Sequence, residues 1–315
     1  MKLFVGPTDH DWYTYLRNQQ RDEVNFWWPS GHQAFRALEP GEPFLFKAKA
    51  PHEAIIGGGF FVSYVSAPVS LAWQAFGEAN GTPDARTLLE RLRKYRRDDA
   101  PDPEIGCTIL SEPFFFPEEL WVNLPPDWKK NIVRGKTYST DEPIGANLWD
   151  AVVRQMADPR AITGPSIQDA TVAGPAVGGQ VNMFGAASPV RHRLGQGAFR
   201  LGVLDAYGKR CAVTGERVVP VLEAAHIRPY TSEGPHLISN GLALRADIHR
   251  LFDLGYVTVD RNLKFRVSRL LEEEYANGKD YYRYQNAPLA VTPQQHDKRP
   301  AAEYLEWHGD VVFRP

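Results

Sequence analysis

The chain is poor in cysteine, in long apolar runs and in any excess of one charge. Its 315 residues include two cysteines, Cys107 and Cys211. Two thiols so far apart exclude a disulfide framework or a four-cysteine zinc site within one chain, and they suit a reducing cytoplasm. No stretch approaches the roughly 18 consecutive apolar residues of a membrane span. The apolar run beginning at Met1 is far too short for a secretory signal. The expectation is a cytoplasmic protein without a membrane partner. Thirty-six basic residues stand against 38 acidic ones, for a net charge of −2. That balance argues against a uniformly basic nucleic-acid binder, although a local basic face is enough to hold phosphates. What is present is apolar side chain: 43% of residues are hydrophobic and 23% charged. A chain of this length and composition can bury the cores of two domains.

The first half is aromatic and strand-like. Residues 44–49 and 55–65 are β-type runs separated by Pro51-His-Glu, and 112–116 and 120–124 read as further strands. Residues 86–97 carry helical periodicity, with Leu88, Leu89, Leu92 and Tyr95 on one face and Arg91, Arg93, Lys94, Arg96 and Arg97 on the other. The composition then shifts. Between Ala161 and Pro189 only Asp169 is charged, among repeated Gly, Ala and Pro. The expected organisation is a strand-dominated domain over 1–157, a linker over 158–189 and a second domain over 190–315. The second domain opens with Arg191, Arg193, Arg200, Lys209 and Arg210 against one acid, Asp205. Of these, Arg193, Arg200, Lys209 and Arg210 are the candidate phosphate contacts.

The densest chemistry lies between Leu222 and Asp253. A weakly alternating strand over 218–225 leads to His226, and Asn240-Gly241 is a turn signal. Asp247 suits a helix N-cap and Gly255 a residue just past the helix end. On that short helix Ile248, Leu251 and Phe252 form the buried stripe, and His249 and Asp253 share the opposite face four residues apart. Two such side chains can reach one cation. A neutral imidazole with a pKa near 6.5 can take a proton from water at pH 7. The competing structural reading is a core histidine, an ion-paired Asp253 and a plain helix cap.

Arg193-Leu-Gly-Gln-Gly-Ala-Phe-Arg200, Tyr207-Gly-Lys-Arg-Cys-Ala-Val-Thr-Gly-Glu216, Glu223-Ala-Ala-His-Ile227 and Asn240-Gly-Leu followed by His249-Arg-Leu-Phe-Asp253 resemble the HNH endonucleases of restriction enzymes over about 190–260. The resemblance implies a ββα-metal fold, with His226 as general base, Asn240 fixing the loop that aims it and His249 as a metal ligand. It also implies a divalent cation, Mg²⁺ or Mn²⁺. The sequence departs from the family in two places. Ala225 stands where many HNH enzymes have an acidic ligand, which leaves Glu223 and Asp253 as rival carboxylates. Thr214 stands where a Cys-x-x-Cys zinc site would place its second cysteine after Cys211, so no structural zinc is expected.

In the first half, Gly41-Glu-Pro-Phe-Leu-Phe-Lys47, then Ile55-Ile-Gly-Gly-Gly-Phe60 and Trp73-Gln-Ala-Phe76, are similar to the PUA superfamily, which includes the EVE and SRA readers of modified bases. By that resemblance Phe26, Trp27, Trp28 and Trp73 would stack an extruded base; the plainer reading is that they are core. The combined expectation is an α+β protein, a PUA-like β-barrel followed by a ββα-metal HNH nuclease. It would cut double-stranded DNA near modified cytosine, with one nuclease site per chain and therefore a homodimer or two nicks for a double-strand break. The rivals are an HNH nuclease that reads unmodified DNA or RNA, and a nucleic-acid-binding module that does not cleave.

Overall fold

The computed structural model describes residues 1–163, 195–229, 234–235 and 237–315. The chain forms two compact units, Met1–His192 and Arg193–Pro315. The α+β class holds in both. Most of the expected linker, together with Arg193 and His236, lies outside the described residues.

The first unit is built on one mixed sheet. Its strands are β1 (Lys2–Thr8), β2 (Glu23–Trp28), β3 (Pro43–Ala48), β4 (Ala54–Pro68), β5 (Glu104–Phe115) and β7 (Lys136–Ser139), in the order β2-β5-β4-β3-β1-β7. The short β6 (Val122–Asn123) pairs with β4, and β8 (Ile162–Thr163) with β5. β1 and β3 run parallel, Phe4 opposite Phe44 and Val5 opposite Leu45. β4 is 15 residues long and shifts register against β5 twice, between Gly58 and Phe60 and between Phe61 and Ser63. Such bulges bend a strand. At Gly57 (φ +154°) a Cβ would lie 2.3 Å from the Phe114 carbonyl oxygen, so only glycine lets these strands meet there.

Successive strand residues point to opposite faces, and here both faces are apolar. Phe4, Phe44, Phe46, Ile56, Phe61 and Phe115 pack on one side with Trp12, Tyr13 and Leu16. Those last three come from helix α1 (His10–Arg17). Leu3, Val5, Leu45, Ile55, Phe60, Phe114 and Phe116 pack on the other side against Leu148, Trp149, Val152 and Met156 of helix α4 (Pro143–Met156).

Two sequence expectations change here. The predicted helix over 86–97 is α3 (Ala85–Arg93), capped by the Asp84 side chain, which accepts from the Thr87 N–H at 2.7 Å. Leu88 and Leu92 are buried, but Tyr95 falls outside the helix and is 47% exposed. Its hydroxyl donates to Asp9 at 2.8 Å instead of joining the apolar stripe. The strand expected over 112–116 is the end of the longer β5, and the one over 120–124 shrinks to β6.

The second unit begins with helix α5 (Gln196–Ala206), which ends before Gly208 at φ +60°. Strand β9 (Leu222–His226) pairs antiparallel with β10 (Gly241–Arg245), and helix α6 (Ala246–Asp253) follows β10 without a linker. Gly255, at φ +77°, follows that helix. The turn expected at Asn240-Gly241 is a short 3₁₀ turn closed by Asn240, at the end of the loop between β9 and β10, and Gly241 opens β10 with extended backbone. Asp247 does not cap α6. Arg245 holds the N-cap position, and its guanidinium binds Asp247 at 2.6 and 2.7 Å. Tyr281 adds a further hydrogen bond to Asp247. These partners hold the Asp247 carboxyl below its ordinary pKa, the Arg245 bonds contributing most.

The far side of α6 is held by helix α7 (Ala302–Val311). Its His308 ring stacks on Phe252 at 3.6 Å between centroids and is 2% exposed. The Phe252 carbonyl can only accept, so His308 Nε2 carries the proton and donates to it at 3.1 Å, while Nδ1 accepts from the Thr258 hydroxyl at 2.8 Å. Burial pushes this imidazole down to about 4, only partly opposed by the bond to Phe252. A depressed folded pKa gives stability that is present above the unfolded value near 6.5 and is lost as pH falls toward 4. The expected loss at pH 5 is about 2 kcal/mol relative to pH 7. Thermal melts of the chain and of His308→Gln across pH 7 to 5 check this: the slope assigned to this unit should flatten in the variant.

Candidate active site and aromatic cavity

The β9–β10 ladder sets the nuclease-side geometry. Leu244 stands opposite Glu223, and Gly241 stands opposite His226. Because α6 starts directly after β10, its first turns come back over β9. His249 Nδ1 then lies 2.6 Å from Glu223 Oε2, and Nε2 lies 3.4 Å from Asp253 Oδ2. The carboxylates are 40% and 54% exposed at their side chains, against 21% for His249. Burial raises the Asp253 carboxyl pKa, His249 and Arg250 pull it down, and Glu223 pushes it up. Both carboxylates that expectation left as rivals therefore meet the same imidazole, from opposite ring nitrogens.

His226 ends β9, with its ring stacked on Phe199 of α5 at 3.7 Å and 9°. Gly241 makes that approach possible, since a Cβ there would lie 2.4 Å from Val203 and 3.0 Å from the Phe199 ring. Arg200, on the next α5 residue, donates to the Leu222 carbonyl at 3.0 Å. It is packed beside β9, and burial lowers its pKa against the pull of Glu223. Lys209 and Arg210 follow α5, Lys209 at φ +54° and Arg210 donating to the Gly215 carbonyl at 3.4 Å. Cys211 is buried and accepts from the Thr214 N–H at 3.5 Å.

Asn240 is completely buried. Its Oδ1 accepts from the Arg228 N–H, and its Nδ2 donates to the carbonyls of Arg228 and Pro235, all at 2.9 Å. Its own carbonyl accepts from the Ile227 N–H at 3.0 Å. Asn240 thus ties the two residues after His226 to the far end of the loop, Ile227 through its main chain and Arg228 through its side chain.

Among the described residues no group of three or more His, Cys, Asp or Glu side chains converges as a metal cage. The donors do fit a hard divalent ion held by few protein ligands. Carboxylates only accept, so a neutral imidazole between two of them turns a lone pair toward one, an arrangement that a cation relieves. Magnesium needs only one or two protein ligands, with water and phosphate completing its shell.

Residues 211–260 match the HNH endonuclease family. That segment is an HNH endonuclease domain. No curated protein matches the chain. Among solved structures, the ASCH protein of Zymomonas mobilis shares 11% identity over 48% of this chain and 94% of its own, with a TM-score of 0.33. A point mutant of that protein gives 10% identity, 48% and 99% coverage and a TM-score of 0.34. A structure described as a modification-dependent TagI restriction endonuclease gives 14% identity, 92% and 75% coverage and a TM-score of 0.26.

In the first unit a cavity of about 650 Å³ is walled by Trp12, Phe26, Trp27, Trp28, Phe35 and Tyr64. The Trp27 indole N–H donates to the Asn80 carbonyl at 3.1 Å, and that of Trp28 to the Thr108 hydroxyl at 2.8 Å. Their polar edges are thus fixed in the protein. Phe26 is 5% exposed and belongs to the core as well as to the wall. Trp73 lies on helix α2 (Val69–Phe76) and is not among the lining residues, because the cavity is built around β2 and the loop that follows it. Sequence reasoning did not find the cavity's polar end. There Lys49 Nζ lies 2.7 Å from Asp9 and 3.1 Å from the Tyr95 hydroxyl. Burial opposes the Lys49 charge, but the hydrogen bonds to Asp9 and Tyr95 outweigh it and raise its pKa. These residues are 40 and 46 positions apart and meet only because β1 and β3 are parallel neighbours and the segment after α3 folds back. No short-range spacing encodes that meeting.

Asn240→Ala would strand one buried N–H and relieve two carbonyls of their donor, at about 1–3 kcal/mol for the buried groups left unmade. The expected outcome is a lower melting temperature and loss of cutting. Calorimetry alongside a nicking assay checks both, and wild-type stability in the variant would remove the clamp.

Proposed function

We propose that the chain is a modification-dependent DNA endonuclease, in which the HNH domain cuts and the first unit reads a modified cytosine extruded into its aromatic cavity. The observation that carries the reading is an open aromatic cavity, its indole N–H groups already bonded, in the unit that is not the nuclease. Flat apolar walls with few polar groups suit a stacked base. HNH nucleases are metal-dependent, and the domain implies a DNA substrate.

In this mechanism His226 takes a proton from the attacking water, and stacking on Phe199 keeps its ring from turning away. Asn240 holds the loop so that the base stays aimed. His249 and Asp253 would hold the divalent cation, Mg²⁺ or Mn²⁺, while Glu223 accepts from His249 Nδ1–H and fixes the ring, the usual outer partner of a ligating histidine. When bound, such a cation would supply charge stabilisation at the scissile phosphate and the leaving oxygen. Lys209 and Arg210, with Arg193, supply phosphate contacts, and the packed Arg200 borders Glu223. Each chain carries one HNH domain, so a double-strand break takes two chains or two successive nicks.

Plasmids bearing cytosine, 5-methylcytosine or 5-hydroxymethylcytosine, digested with Mg²⁺ or Mn²⁺, test the whole reading. Cutting confined to modified DNA is expected. Equal cutting of all three would favour a nuclease that reads unmodified DNA, and binding without cutting would leave a binding module. His226→Ala should lower the cleavage rate by roughly 10²–10⁴ with DNA affinity nearly intact; near-normal turnover would remove the base assignment.

The metal roles separate in a titration of Mg²⁺ against activity. Asp253→Asn should raise the metal concentration required, whereas Glu223→Gln should lower activity with a smaller shift in that requirement. The reverse order would exchange the two carboxylates. Elemental analysis should find no stoichiometric zinc, since Thr214 follows Cys211 where a second thiolate would be needed.

A further inference from the structure

From β6 into the start of β7 the chain runs Trp128-Lys-Lys-Asn-Ile-Val-Arg-Gly-Lys136, four cations without an acid. This segment is fixed at both ends. Asp127 pairs with Lys136 and accepts from the Tyr138 hydroxyl, and these bonds hold its carboxyl below its ordinary pKa. Gly135, at φ +116°, passes so close to β1 that a Cβ would lie 2.4 Å from the Val5 carbonyl oxygen. Within this frame the Ile132 N–H closes a turn on the Lys129 carbonyl at 3.0 Å. Ile132 is half-buried, while Lys129, Lys130, Val133 and Arg134 are exposed. Val133 is 82% exposed, the highest value for a large apolar side chain among the described residues. Both Val133 and Arg134 line the aromatic cavity.

An isolated exposed valine needs no explanation. A valine at the tip of a braced turn, between exposed cations, on the wall of an aromatic cavity, is a different case. We propose that Val133 is a wedge, which enters the base stack of duplex DNA and fills the gap left when a base moves into the cavity, while Lys129, Lys130 and Arg134 hold the adjacent phosphates. The proposal rests on the base-extrusion reading above. The chemistry is complementary throughout: the apolar tip replaces lost stacking and the cations face the polyanion. Val133 touches no reacting atom. It acts on the equilibrium between stacked and extruded base, and so on recognition, not on phosphodiester hydrolysis.

The test uses the full chain and duplexes in which one cytosine is unmodified, 5-methylated or 5-hydroxymethylated. A 2-aminopurine next to that cytosine reports unstacking by a rise in fluorescence. Wild-type protein is expected to give the rise on at least one modified duplex. Val133→Ala, a change at an exposed side chain, should abolish most of the rise and weaken binding to that duplex about fivefold or more. It should leave affinity for the single strand, where no gap forms, unchanged. Val133→Leu should restore the rise. Lys129→Gln with Lys130→Gln should weaken all duplexes alike and lower the salt slope by up to about 2, near 0.9 per lost phosphate contact. If wild type gives the rise and Val133→Ala gives it equally, the wedge is overturned and the reader stands. If wild type binds every duplex without a rise, both are overturned.

Discussion

The second unit depends on five antiparallel residue pairs. Pairing of Leu222–His226 with Gly241–Arg245 puts Glu223 and His226 at defined places on β9. It also launches α6 from Arg245 with no intervening residue through which register could drift. A slip of one residue would turn every side chain on the strand to the opposite face. Glu223 would then leave His249, and His226 would leave Phe199. The buried Asn240 guards that register, since its three side-chain hydrogen bonds can be made together only if the loop closes at one length. The buried His308 supports the arrangement from behind by bonding the last turn of α6.

Much of this unit was legible because its signals are local. His249 and Asp253 are four apart on one helix, and Gly208 and Gly255 lie just beyond helices at positive φ, as their sequence setting suggests. Glu223 was legible as a candidate, but not its contact with the imidazole nitrogen opposite the one facing Asp253. That contact depends on how α6 crosses β9, which no spacing records. One local reading failed because a stronger partner was nearby. Asp247 suits an N-cap, yet a bidentate guanidinium two residues earlier takes its carboxylate. Asn240-Gly241 marks the turn before β10, but gives no sign that the Asn240 side chain is drawn inward to satisfy three main-chain groups.

The first unit was harder to read because its sheet is apolar on both faces. Runs such as Pro43–Ala48 are buried throughout, so alternation between polar and apolar residues gives no sign of which face meets which helix. Helix α4 went unrecognised although Leu148, Val152 and Met156 recur at four-residue intervals and Pro143 stands at its start. The aromatic wall was visible as Phe26-Trp27-Trp28. Its polar end was not, because Asp9, Lys49 and Tyr95 come from three separate segments. Tyr95 explains why: its sequence setting assigned it to a buried stripe, while its hydroxyl is satisfied by a carboxylate outside the helix.

The two tryptophans of the cavity have already given their indole protons to Asn80 and Thr108. What they present to a guest is ring surface alone, which is indifferent to the identity of the base. In the proposed reader, selectivity would then come from ionic and hydroxyl groups at the margin, Asp9, Lys49 and Tyr95. Those groups sit at the end of β1, just beyond β3 and after α3, and are at least partly exposed. Replacing them would leave the aromatic walls and both packed faces of the sheet intact. On the proposed reading, the groups that would meet the target are thus separate from the apolar faces that hold the sheet together.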